Sequence, residues 1–577
     1  MIHHNRFILN IFAMFATILL FLAPLLNAWH LYLFGQESEL TIYSALGGII
    51  PWSDAAGYYS GANNLLWDGS LDYWNMRRPL NALLFSVRLW ISNGDFKIAL
   101  ILQAILCALS AFWVAKTVSQ TFGKMAGFLT LAVLFIFASV FIPTTLSETL
   151  GLTLGSLSFI ALWQAIQQPQ KVWIFFIAGC FLMIAQNTRA GALFIFPLLV
   201  IWLGYQNNNH SFQKNKFQLR IPLFFIFGII IAFLYNLLLI KVYGASTDGT
   251  MHGNFATTLY GLVAGGKGWL HAYQTYPDIA ATSSEAAFAQ FLFSKSFELF
   301  KSNPSLLVLG FLKGIGGLTK GFISFFQRDL SQNLVLKISI RFLGTLFLGF
   351  MLFRWKSLYK DYKKEIGLIS ICLFGMLISA GFIWADGSYR VFAATVPFLA
   401  AAVGIVLGTS RKIPFLLNLS KINSSSFSES RNAIWLGSVL IIAALFIPLH
   451  FKLSSHTVLP VFHCAANEKP FIIQNIQGIP YLNIEQNKEA FKNLMLKSVN
   501  ENKEKFVKLL DLPGLSQTPI LALIYNLNTK TNQLVIAPSK LFEQNSARIG
   551  ICTAPLPEPE ATDLIVQVKS FEGLHEQ

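Results

Sequence analysis

A few acids and arginines stand where an otherwise apolar chain rarely tolerates charge. Asp54 and Tyr58 lie at i and i+4 in WSDAAGYY, Arg77-Arg78-Pro79 closes the same polar stretch, and Glu148 stands in PTTLSETLG. Arg189 follows a long apolar run, and Asp386, Tyr389 and Arg390 come close together in WADGSYR. A carboxylate in such a group can take the proton of an attacking hydroxyl or amine. Guanidinium groups present forked donors matched to phosphate oxygens and can stabilise a phosphate as it leaves. Each residue also has a plainer role. Asp54 could cap a helix starting at Ala55, Glu148 could cap or pair with a neighbouring arginine, and the arginines could reach to lipid headgroups. What separates the two readings is whether the elements bring these residues to one place.

Those elements are membrane spans. Of 577 residues 54% are hydrophobic and 12% charged, against about a quarter charged in average soluble proteins. Apolar runs recur from residue 7 to residue 453, which excludes a soluble enzyme, a disordered chain and a disulfide-rich secreted scaffold. The run 7–29, preceded by Arg6, reads as a retained first span with a cytoplasmic N-terminus, because no small-x-small cleavage site follows it. Loop 35–78 carries Glu37, Glu39, Asp54, Asp68 and Asp72 against two arginines, a balance suited to the outer side. The segment 80–91 is too short to span, carries Arg88, and reads as an interfacial helix. Further spans are expected at about 96–118, 124–142, 145–166, 172–187, 190–205, 221–242, 334–353, 366–385, 390–409 and 432–452.

The 43 basic and 28 acidic residues leave a net charge of +15, and its distribution sets the orientation. Loops 206–220, 354–365 and 410–431 each carry an excess of three positive charges and are assigned to the cytoplasm, together with Arg6, Lys116, Lys124 and Lys171. An even number of crossings must then separate residues 220 and 354. The segment 304–326, interrupted by glycines and bearing Lys313 and Lys320 on one face, is therefore read as surface-lying. The expected fold is an α-helical polytopic membrane protein of about eleven transmembrane helices, residues 1–453, with outer loops at 35–95 and 243–333. A small C-terminal α+β extracytoplasmic domain, residues 454–577, follows.

The tail changes composition sharply. Ile520 to Tyr525 and Gln533 to Ala537 have strand length and residue 485–510 reads as a charged helix. Cys464 and Cys552 bracket it, and an outer compartment permits them to pair, whereas Cys107, Cys180 and Cys372 fall in spans as apolar fillers. With eleven basic and twelve acidic residues the tail is near neutral, so charge gives no support for nucleic acid as a partner.

The sequence GLVAGGKG, 261–268, has the spacing of a phosphate-binding P-loop up to Lys267, but Gly268 stands where Ser or Thr should hold magnesium. Nucleotide binding is rejected, and the glycines are read as a flexible lid or hinge. His252 and His271 in this loop could contact substrate, although unconstrained loop histidines are commoner. Lys313 and Lys320 are expected at headgroups or donor phosphate.

An acid early in the first outer loop, a loop ending in RRPL, a Ser-Glu helix start after the third span, a span-end arginine and a Tyr-Arg pair before a late Pro-containing span resemble the GT-C superfamily. The pattern is most similar to the protein O-mannosyltransferase and lipid A aminoarabinose transferase branch, over roughly residues 1–410. The resemblance implies a glycosyltransferase in a bacterial inner membrane that moves a sugar, with inversion, from a polyprenyl-phosphate donor to a glycan, lipid or protein acceptor at the outer face. Asp54 is then the candidate base or metal ligand. Arg77, Arg78, Arg189, Tyr389 and Arg390 are candidates for the donor phosphate, and Tyr58, Glu148, His271 and Asp386 for other substrate contacts. Related enzymes often place a second acid beside the first, but here Ala55 follows Asp54 and RRPL holds none. If a divalent cation such as Mg or Mn binds, Asp54 and Glu148 are the hard-oxygen ligands. A polysaccharide polymerase or oligosaccharide ligase is the competing enzyme class. A transporter or flippase is the other alternative, against which stand the one-sided clustering of charge and the absence of a hydropathy repeat between halves.

Overall fold

The computed structural model describes residues 2–33, 44–45, 50–51, 54–205, 218–244, 253–325 and 353–409, and in the tail 462–466, 468–474, 479–483, 519–527, 531–544, 548–555 and 565–574. In chain order the helices are α1 (Ile2–Leu33), α2 (Asp54–Asn63), α3 (Pro79–Ile91), α4 (Phe96–Phe122), α5 (Lys124–Phe141), α6 (Ser147–Gln167), α7 (Val172–Thr188) and α8 (Ile195–Tyr205). There follow α9 (Arg220–Tyr243), α10 (Gly253–Val263), α11 (Leu270–Thr275), α12 (Pro277–Thr282), α13 (Glu285–Ser302), α14 (Pro304–Phe325), α15 (Lys363–Gly387) and α16 (Val396–Gly408). Among the described residues seven segments are long and apolar enough to cross a bilayer, in α1, α4, α5, α6, α9, α15 and Tyr389–Gly408. Four shorter apolar helices accompany them, α3, α7, α8 and Pro304–Leu318 of α14. The chain is a polytopic, mostly helical membrane protein with a β-rich C-terminal region. The spans expected at 334–353 and 432–452, and the helix near 485–510, lie outside the described residues.

Local chemistry sets the helix ends. Asp95 Oδ1 accepts from the Ile98 N–H at 3.0 Å to start α4, Ser284 Oγ accepts from Ala287 at 3.3 Å to start α13, and Pro79 opens α3 where its missing N–H costs nothing. The loop ends assigned as basic gather at one end of the bundle. There Gln167 hydrogen-bonds Glu365, the Phe122 and Tyr362 rings lie 4.5 Å apart, and Arg354 Nη2 donates to Thr409 Oγ1 at 3.3 Å. The starts of α2 and α6 and the end of α7 lie at the opposite end.

Helix α6 is the centre. Every residue from Ser147 to Ile166 is buried, so its small side chains set how closely its neighbours approach. A Cβ on Gly155 would fall 2.1 Å from the carbonyl oxygen of Ala394, and one on Gly191 would fall 1.8 Å from that of Val391. These two glycines therefore let the 3-10 turn Ser388–Thr395 lie directly on α6 and on the segment after α7. The segment expected to lie on the surface is a continuous helix, α14, packed against α10 and the site-end half of α15, where Gly314 meets Ala380 and Gly381.

In the tail, the expected strands are β5 (Pro519–Asn526) and β6 (Thr531–Pro538), an antiparallel hairpin. A short pair β1 (Ser44–Ala45) and β2 (Ile50–Pro51) lies in the first loop. With β3 (Lys469–Gln474), β4 (Tyr481–Asn483), β7 (Arg548–Pro555) and β8 (Ile565–Leu574), the tail hairpin forms a sheet of order β3-β7-β8-β6-β5-β4, antiparallel except between β6 and β8. A disulfide joins Cys464 to Cys552, with Cα atoms 5.6 Å apart, and pins the chain ahead of β3 to β7.

Gly155→Val is expected to push the 388–395 turn off α6 and lower unfolding free energy in bicelles by roughly 1–3 kcal/mol, the range for overpacking a filled interior. Gly316, whose Cβ position meets nothing within 4 Å, supplies the control. Gly316→Ala should leave stability unchanged or slightly raised, and equal losses at both sites would refute the close-approach role.

Candidate functional site

Glu148 is the residue around which the site is built. It stands in the first turn of α6, is fully inaccessible to solvent, and lies where the aligned N–H groups of the helix start favour an anion. Its Oε1 accepts from Arg390 Nε at 2.6 Å and lies 3.4 Å from Arg189 Nη2. Arg189, 4% exposed, follows the last residue of α7 in an extended conformation, and Arg390, 9% exposed, comes from the 3-10 turn held against α6. Two separate segments thus place guanidinium groups on the carboxylate of a third.

The segment between α1 and α3 closes this group from the other side. Thr145 Oγ1 donates to the Ala55 carbonyl at 2.6 Å, tying α2 to the start of α6. On α2 the i, i+4 spacing carries Asp54 and Tyr58 to the same side. Asp54 Oδ2 lies 3.6 Å from Arg390 Nη2, and its side chain is 43% exposed. The Tyr58 hydroxyl accepts from Arg78 Nη1 and lies 3.5 Å from Ser147 Oγ, while its ring meets Trp74 at 4.8 Å. Arg78 is near enough for its charge to act on both Glu148 and Arg189. Three guanidinium groups face two carboxylates, so the site keeps a positive charge. Two of its buried atoms, Glu148 Oε2 and Arg189 Nε, find no hydrogen-bond partner among the described residues.

The structure therefore brings together Asp54, Tyr58, Arg78, Glu148, Arg189 and Arg390. Arg77 turns the other way: its Nε donates to Glu285 Oε1 at 2.8 Å, at the start of α13. The pair thereby joins the cluster to α13. Tyr389 packs edge-on to Phe137 and tilted to Phe141, at 6.4 and 6.3 Å. The side chain of Asp386 and all of His252 lie outside the described residues. His271 stacks on Tyr260 at 5.7 Å within a small apolar cluster of α10–α13, and burial with the nearby Lys267 charge holds its pKa below the usual histidine value.

The amides of the glycine turn cap a helix rather than cradle a phosphate. Gly266 N–H donates to the carbonyls of Gly261 and Leu262, and Lys267 N–H to Gly261, so the amides that a P-loop would aim at phosphate close the end of α10. Gly265 and Gly266, at φ of 86° and 74°, supply the left-handed conformation this cap requires. Lys313 joins them: its Nζ donates to the Gly265 carbonyl at 2.8 Å. Lys320 has no described side chain.

The donor set fits guanidinium chemistry better than a divalent ion. Both carboxylates named as metal ligands face Arg390, and three arginines would stand beside any cation there. In the tail, Glu468 lies close to Cys464 and Cys552, but their sulfurs are joined to each other and are not thiolates.

Glu148→Ala would leave Arg189 and Arg390 buried without their shared counter-charge, and is expected to cost about 3–5 kcal/mol of unfolding free energy in bicelles. Stability equal to the parent protein would show that the arginines do not depend on Glu148. Neither protein-family models nor curated proteins give a match to this sequence.

Proposed function

We propose that the protein transfers a sugar from a polyprenyl-phosphate carrier to an acceptor hydroxyl or amine. The observation that carries this reading is the meeting of one solvent-open carboxylate, Asp54, with three guanidinium groups organised on a buried one, Glu148. The resemblance in the sequence points to the same chemistry. The basic loop ends lie at the opposite end of the bundle, which under the positive-inside rule turns the cluster and the tail to the extracytoplasmic side of a bacterial plasma membrane.

The two carboxylates suit different roles. Glu148 is inaccessible and held between two arginines, so it orients them. Asp54 is open to an incoming acceptor and acts as base. As the acceptor oxygen or nitrogen bonds to the anomeric carbon, Asp54 takes its proton and the bond from that carbon to the phosphate oxygen breaks. The electron pair leaves with polyprenyl phosphate, whose added charge meets Arg78, Arg189 and Arg390. One displacement of this kind inverts the anomeric centre.

Asp54→Asn should lower transfer by about a hundredfold or more, the usual worth of a general base, with expression intact. Undiminished transfer would remove Asp54 from that role. Arg78→Ala should raise KM for the donor lipid more than KM for the acceptor. Comparative glycomics of envelope lipid, polysaccharide and protein from deletion and parent cells tests the class of activity. An unchanged glycan profile with a defect in solute uptake would point instead to transport.

A further inference from the structure

The C-terminal sheet is joined to the first outer loop by alternate faces of a single hairpin. Ala522 and Ile524 on β5, with Val535 and Ala537 on β6, form the sheet's own core, while Leu523, Leu534 and Ile536 pack into the core of the helical bundle. Tyr525 shares the bundle-facing side of β5 with Leu523. Its hydroxyl donates to Asn64 Oδ1, in the π-helical turn that follows α2, and the bond is buried. The contact continues inward. Asn64 Nδ2 donates to Asp72 Oδ2 at 3.2 Å, and Asp72 Oδ1 accepts from the Asn75 N–H at 2.7 Å. Asn75 Nδ2 donates to Asp72 Oδ2 at 2.9 Å and to the Gly57 carbonyl at 3.0 Å. Gly57 lies between Asp54 and Tyr58, and the Arg78 N–H donates to the Asn75 carbonyl at 3.0 Å.

We propose that Tyr525 is a positioning residue: through Asn64, Asp72 and Asn75 it locks the tail onto the loop that presents Asp54, Tyr58 and Arg78. The inference rests on the glycosyl-transfer reading for its kinetic consequence, but not for the lock itself. Removing the hydroxyl leaves Asn64 Oδ1 without its donor in a buried place and releases the far end of the chain of bonds. Burial beside Asp68 and Asp72 raises the pKa of Tyr525, so the hydroxyl stays protonated and able to donate. The tail is thereby a structural part of the site, although none of its described side chains is among the residues of the cluster.

The test uses the full chain in lipid nanodiscs, with Tyr525→Phe, Asn64→Ala and the double variant. Hydrogen exchange of amides in residues 54–78 should accelerate about tenfold in each single variant, with exchange in α6 unchanged. The double variant should be no faster than either single one, because both cut one chain of bonds. In transfer assays kcat should fall about tenfold, with KM for the donor lipid raised less than in Arg78→Ala, since Glu148, Arg189 and Arg390 stand on other elements. Exchange in 54–78 equal to the parent, or faster exchange throughout the protein, would overturn the lock. If the parent protein transfers no sugar, the functional reading fails while the exchange result still decides the lock.

Discussion

A carboxylate with no access to solvent needs compensating positive charge, and in this protein it can come only from elsewhere in the chain. Glu148 stands at the start of a helix that is buried along its whole length, so its partners must arrive from other segments. Arg189 comes from the end of α7, and Arg390 from a turn 242 residues away in sequence. That requirement explains why the turn lies on α6 with so little space, and why glycine stands at 155 and 191, where any side chain would hold the backbones apart. Arg390 then also faces Asp54. Satisfying a buried charge and assembling a cluster of guanidinium groups are one structural event.

Much of this was legible in the sequence because the signals are compositional and local. Apolar runs long enough to cross a bilayer predict α1, α4, α5, α6, α9, α15 and the Tyr389–Gly408 segment to within a few residues, and the short, strand-length runs in the tail predict β5 and β6. Five of the acids and arginines named for the site, Asp54, Arg78, Glu148, Arg189 and Arg390, meet there, since span ends on one side of a membrane protein are confined to a thin layer.

What could not be read depends on direction and on distant partners. Nothing in Arg77-Arg78 tells which guanidinium turns inward; the answer depends on Glu285, 208 residues further on, which no local pattern links to either. GLVAGGKG shares its spacing with a phosphate loop, but a helix cap needs the same backbone freedom, and the destination of the amides separates the two. Ser147, Asn75 and Asp72 have signals only in hindsight, as polar neighbours of named residues. Tyr525 had none, because an alternating strand shows which residues share a face but not what that face will meet.

The bond between Tyr525 and Asn64 spans 461 residues, and that separation has a consequence for the order in which the molecule is made. At about 5–20 residues per second of synthesis, the ribosome needs between roughly 20 and 90 seconds to travel from one partner to the other. Throughout that interval Asn64 and Asp72 must find their hydrogen bonds in water or in each other, and the first outer loop waits while nearly all later helices are inserted. A strand of the tail completes a loop translated 461 residues earlier, so a chain released between the two would carry the intervening helices without a finished loop.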